Sequence, residues 1–181
     1  TGLLADFGER YQAGQADVAP VLPAQQEIPM LTLRWRQVTP GHELAAILEE
    51  LDEVVKGGTY SDLGILTSTR IETKKIERAL KLRGIKPAST VADDGDKGVE
   101  RMLKRYFFQG REKVKVTPVP NFKGREISRA IVLLSGPNAA TAYTALSRLS
   151  VGDFGSSLSV ISSEPSFESF GRTWPHFFDE V

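Results

Sequence analysis

Apolar residues recur along this chain with two periods, and the switches between them mark out a series of elements. MLTLRW (30–35) alternates apolar and polar as a strand does, TPG breaks it, and HELAAILEELDEVVKGG follows as a helix. Leu44, Ile47, Leu48, Leu51, Val54 and Val55 share one face of that helix, and Gly57-Gly58 closes it. DLGILTS reads as a short buried strand. TRIETKKIERALKLRG gives a second amphipathic helix, with Ile71, Ile76, Leu80 and Leu82 marking its inward side and Gly84 its stop. IKPASTV suggests another strand, and the acidic turn DDGD offers Asp96 as the cap of a third helix, KGVERMLKRYFF. VKVTPV and RAIVLL are strands on either side of a charged turn, NFKGRE (121–126). SGPNAATAYTALSRL is an Ala-rich helix, and SSLSVIS is a last strand.

Strands that alternate with helices of roughly 10–15 residues imply βαβ units, hence an α/β fold with a mostly parallel sheet covered on both faces. Residues 30–163 carry this pattern. Residues 1–29 precede it as a short helix (Leu3, Leu4, Phe7, Tyr11) and a linker rich in Ala, Pro and Gln, expected at the edge of the domain. Residues 164–181 form an aromatic, aperiodic tail. Ligands of such sheets bind at the carboxyl ends of the strands, which is where NFKGRE and the start of TRIETKK are expected.

Composition narrows the picture. With 181 residues and no cysteine the chain has the size of one domain and cannot form a disulfide. No apolar run approaches the roughly 20 residues of a membrane helix, and no basic-then-apolar leader is visible, so a cytoplasmic protein is expected. The formal net charge is +0, yet Arg70 to Arg129 hold 17 Lys/Arg against 8 Asp/Glu. Two readings follow: a basic face able to track a phosphate backbone, or basic and acidic helices that pair with one another.

Self-contained hydrolytic chemistry is absent. There is no GxxxxGK[ST] phosphate loop, no GxGxxG, no HExxH and no GxSxG elbow. No metal site is expected. His42 and His176, at a helix start and in the tail, read as cap or surface residues. What remains is a binding edge. Lys123 and Gly124 can offer a cation and a backbone amide to a phosphate, and Glu126 can accept from a ribose hydroxyl, although a charged turn explains the same residues. Arg148 ends an apolar helix face (Ala142, Ala145, Leu146, Leu149), where an arginine serves either a buried carboxylate or an incoming anion.

In order and spacing these pieces resemble the second RecA-like (2A-type) domain of UvrD/Rep-like superfamily I DNA helicases. SDLGILTSTRIETKKIERALKLRGIKP is similar to a strand-helix pattern of that family, matched at Ile76-Glu77, Leu80 and Gly84-Ile85. VKVTPVPNFKGREISRAIVLL is similar to its motif V, Lys-Gly-Leu-Glu-Phe, matched at Lys123, Gly124 and Glu126. AYTALSRL is similar to motif VI, Tyr-Val-Ala-Leu-Thr-Arg-Ala, matched at Tyr143, Ala145, Leu146 and Arg148.

The resemblance implies a motor domain that shares an ATP site, with its Mg2+, with an N-terminal RecA-like domain. It implies Arg148 as the catalytic arginine finger and Lys123, Gly124, Glu126 and Tyr143 as ATP contacts. It also implies a track for single-stranded DNA past Thr67, Ser68, Asn121 and Lys74. Where the family has Thr-x-His ahead of Lys-Gly, this chain has Pro118 and Pro120. The family's phosphate-loop domain and its Gln/Asn-Tyr-Arg element are expected ahead of Thr1, so this stretch alone is expected neither to bind nor to hydrolyse ATP. A second expectation, from another class, is a degenerate RecA-like module that only binds nucleic acid or a protein partner.

Overall fold

A computed structural model describes residues 2–11, 31–56, 59–60, 62–110, 112–150 and 155–180. The elements run α1 (Gly2–Tyr11), β1 (Leu31–Val38), α2 (Glu43–Val55), β2 (Leu63–Thr67), α3 (Arg70–Leu82), β3 (Pro87–Ser89), α4 (Lys97–Tyr106), β4 (Val114–Pro118), β5 (Arg129–Leu134), α5 (Ala139–Leu146), β6 (Ser156–Ser162), α6 (Glu168–Gly171) and β7 (His176–Glu180). The strands form a seven-stranded sheet in the order β3-β4-β2-β5-β6-β1-β7, and every pairing is parallel. No described helix is long and apolar enough to cross a membrane.

A parallel sheet needs apolar side chains on both faces, because the crossover helices cover both. The central strands meet that need: β2 and β4 are buried throughout. In β5, Ile131 and Leu133 face α2 and α3, where Ile47, Leu51, Ile76 and Leu80 complete one core. Val132 and Leu134 point the other way, into a second core with Ala142, Ala145 and Leu146 of α5. The period-2 alternation within one strand thus feeds two cores.

The α3 face differs from the expected one. Thr73, Ile76, Glu77 and Leu80 turn inward, whereas Ile71 and Leu82 are exposed. Relative to Ile76 and Leu80, those two stand on the opposite side of a 3.6-residue helix, so their apolarity misleads. The ends follow the sequence signals. Thr69 and Glu72 form a capping box at the start of α3, Gly84 (φ +72) follows its end, and Asp96 accepts from Gly98 and Val99 at the start of α4.

The first and last segments meet on the second core. Phe7 of α1 packs on Phe167 and Phe170, and Phe170 and Trp174 both meet Trp35 of β1 edge-on. A side chain at Gly171 collides with the Trp35 indole, so glycine lets α6 lie directly on that ring. Residues 176–180, within the aromatic tail, run as the seventh strand beside β1.

Candidate functional site

The stretch NFKGRE is not a turn between neighbouring strands. β4 and β5 both pair with β2, from opposite sides and in the same direction. Residues 119–128 must therefore carry the chain from the carboxyl end of β4 back to the amino end of β5, across one face of the sheet. Only the start of NFKGRE stays near the carboxyl ends; the rest descends toward the amino ends. The expectation that the whole motif lies at the carboxyl edge fails because a parallel connection has to return.

Each step of that descent has a local cause. Pro118 and Pro120 end β4 and open a 3-10 turn (Val119–Phe122), whose Val119 and Phe122 are buried in the second core. Gly124 then takes φ +74, a left-handed conformation that glycine adopts without the usual Cβ penalty. The Arg125 guanidinium rests 4.6 Å from the Phe108 ring centroid. Ile127 plugs into the sheet over Gly64, where a Cβ would stand 2.7 Å from its Cδ1.

Ile127 also joins two distant stretches of sequence. Its N–H donates to the carbonyl of Arg148 (3.0 Å), and its own carbonyl accepts from the N–H of Ser150 (2.9 Å). This small parallel bridge to Leu149 sets Glu126 beside Arg148. Arg148 itself follows α5, whose start is capped by Asn138 accepting from the Thr141 N–H and whose Ala142, Ala145 and Leu146 are buried. Its half-buried guanidinium donates through Nε to the carbonyl of Thr144 (3.2 Å). Among the described residues no carboxylate pairs with it. Of the two roles open to Arg148 in the sequence, the buried carboxylate partner is not found among the described residues. Lys123, Gly124 and Glu126 are exposed, and Tyr143, one turn before Ser147, is half-buried against the second core.

The four residues expected along the DNA track lie elsewhere, near the carboxyl ends of β2 and β4, and each is engaged within the protein. Thr67 is fully buried; its hydroxyl donates to the Thr69 carbonyl (2.9 Å) and meets the Thr73 hydroxyl (2.7 Å). It holds the start of α3 in place and has no surface to offer a ligand. Half-buried Ser68 donates to the carbonyl of Leu133 (3.2 Å). Asn121 donates to the Thr90 hydroxyl (3.1 Å), which meets that of Thr117 (2.6 Å). Lys74 bridges Glu77 (2.8 Å) and Asp93 (3.0 Å). Burial works against the charge of Lys74, but these two carboxylates outweigh it and raise the pKa.

The basic half of the chain resolves into paired and unpaired groups. Arg70 pairs with Glu100, Lys81 with Glu77, and Arg83 with Asp52 of α2. Arg101, Lys104, Arg105, Lys113 and Lys123 make no ion pair among the described residues. The expected pairing of basic with acidic groups is therefore seen for some of these cations and not for others among the described residues. Sequence reasoning missed the Ile127 bridge, although an apolar residue directly after Glu126 was its visible signal. It also missed Lys115, which is buried in β4 with its pKa lowered by that burial, against the pull of Asp62.

No protein-family model and no curated protein matches the chain. Solved structures do. The C-terminal domain of a possible DNA helicase from Lactobacillus plantarum WCFS1 aligns over 100% of this chain and 97% of its own, at TM-score 0.52 and 15% identity. The C-terminal domain of the DEAD-box protein Dbp5 covers 83% of this chain and 89% of its own, at TM-score 0.56 and 15% identity. Domain 2 of the DEAD-box helicase Mss116p, solved with an RNA duplex, gives TM-score 0.59 at 11% identity over 83% of this chain and 63% of that one. The fold is thus that of RecA-like helicase C-terminal domains. A possible DNA helicase and DEAD-box proteins, one of them solved with an RNA duplex, share it.

Proposed function

We propose that this chain is the C-terminal motor domain of an ATP-dependent DNA helicase of the UvrD/Rep-like kind. It supplies Arg148 as an arginine finger and Glu126 as a ribose contact to an ATP site completed by an N-terminal RecA-like domain. The observation that carries this reading is the backbone pairing of Ile127 with Arg148, which sets an exposed carboxylate beside an arginine that has no acidic partner among the described residues.

These residues suit one side of a nucleotide. An arginine fork neutralises charge on a transferring phosphoryl group, a carboxylate accepts from ribose hydroxyls, and Lys123 with the Gly124 amide reinforces the anion contact. The phosphate loop and the carboxylates that hold Mg2+ have no counterpart in this sequence and belong to the other domain. Single-stranded DNA crosses the carboxyl edge near Ser68 and Asn121, drawn by the unpaired cations of α4.

One observation favours a second reading, a degenerate module that keeps the fold and only binds nucleic acid or protein. The residues expected along the track are already engaged inside the protein, and Pro118 and Pro120 stand where the family's nucleic-acid contacts lie. ATP turnover separates the two. With ATP and Mg2+ this chain alone shows no hydrolysis, whereas a polypeptide that joins it to its phosphate-loop domain shows hydrolysis stimulated by single-stranded DNA. Turnover by the chain alone contradicts the shared site, and a joined polypeptide without stimulated turnover favours the degenerate module.

A further inference from the structure

The two edges of the sheet are finished differently. At one end β3 is three residues long and opens on Pro87, which has no N–H to offer, so that edge resists a further strand. At the other end β7 keeps an unbroken register with β1 from His176 to Glu180 and contains no Lys, Pro or Gly. Its outer side pairs with no described strand, so a row of N–H and C=O groups faces outward. Charges often guard such an edge, but those of β7 are neutralised from within the chain. Asp179 pairs with Arg172 (2.9 Å) and Glu180 with Arg36. Phe178 is 49% exposed beside them, and Phe177 lies under the Arg172 guanidinium at 4.8 Å.

The strand, HFFDE, is complementary to itself. A two-fold axis beside β7 sets two copies of it antiparallel, and with the axis at Phe178, residues equally far before and after that position stand opposite each other. His176 then faces Glu180 of the second copy at both ends, an imidazole N–H donor against a carboxylate, and the two Phe178 rings meet between them. These residues are two apart, so they share one face of the joined sheet. On the other face Phe177 comes opposite Asp179 of the second copy, and the Arg172 guanidinium over that ring lies within reach of both carboxylates. A foreign strand has to offer this order of base, aromatic and acid by its own sequence. A second copy supplies it by symmetry, as an isologous contact requires.

We propose that β7 pairs with β7 of a second copy of this chain, antiparallel about Phe178, and joins the two sheets into one. The proposal does not depend on the ATP-site reading, because none of its residues belongs to that site.

The test is sedimentation velocity of this chain over a wide range of concentration, with hydrogen exchange read on residues 176–180 at both extremes. The mass is expected to rise from monomer to dimer, and the β7 amides to exchange more slowly in the dimer. Phe178→Asp sets two carboxylates face to face at the axis, and His176→Glu sets one against Glu180 at each end, so each should weaken the dimer about tenfold or more. Leu82→Asp, at an exposed position of α3, should leave it unchanged. Both β7 positions are exposed, and an unchanged circular dichroism spectrum verifies that each variant folds. A monomer at every concentration overturns the proposal. So does a dimer that survives Phe178→Asp, one that Leu82→Asp abolishes, or one whose β7 amides exchange as fast as those of the monomer, since each places the contact elsewhere.

Discussion

At the scale of single residues, Glu126 and Arg148 are 22 positions apart in sequence yet flank one backbone hydrogen bond. An exposed carboxylate contributes little to stability, so any cost of replacing Glu126 falls on function. In a polypeptide that carries both motor domains, Glu126→Ala is expected to raise the KM for ATP several-fold while kcat changes little, because a ribose contact is made equally in ground and transition states. Steady-state kinetics read this split, and an unchanged KM removes Glu126 from the site. Both residues were visible in the sequence as members of a spaced set. The occupation of Thr67 was not, since a threonine that leads out of a strand looks the same whether it braces the start of a helix or meets a ligand; its bonds to the Thr69 carbonyl and the Thr73 hydroxyl, 2.7 Å away, decide it.

At the scale of elements, the helices and strands were legible because their apolar positions keep period, and the cap expected at Asp96 holds, while Thr69 and Asn138 cap α3 and α5 as well. The NFKGRE connection was not legible as a crossover. Local pattern gives two strands and a charged segment between them, but whether those strands are neighbours is decided by β2, which inserts between them. Gly64 records that arrangement. A methyl there meets Ile127 head-on, so Gly64→Ala is expected to destabilise the chain by about 1–3 kcal/mol. Chemical denaturation measures it, and a neutral result contradicts the packing of the crossover.

The α3 helix offers a test by pH. Burial raises the pKa of Glu77, but hydrogen bonds from Lys74 and Lys81 outweigh it, and the net shift is downward. A carboxyl whose folded pKa lies below its unfolded value stabilises the fold above the unfolded pKa and loses that contribution as pH falls through the folded one. The melting temperature should therefore drop below the ordinary carboxylate range, and Glu77→Gln should flatten part of that drop. Equal pH dependence in both proteins contradicts the assignment.

At the scale of the whole molecule, the period of the sequence predicted the α/β class and the parallel sheet, whereas the joining of its two ends lay beyond it. Aperiodic aromatics carry no register, so nothing local in residues 164–181 says that Phe167 and Phe170 receive Phe7, or that 176–180 extend the sheet beside β1. The proposed roles divide across the sheet at this scale as well. The nucleotide candidates gather toward the amino ends and the nucleic-acid candidates at the carboxyl ends, with one crossover, residues 119–128, linking them. The measurement that bears most directly on this account is ATP hydrolysis by Arg148→Ala in the two-domain polypeptide, saturated with single-stranded DNA. The account predicts a fall of about 10³-fold or more in kcat with nucleotide affinity and melting temperature nearly unchanged; hydrolysis at the unmodified rate contradicts it.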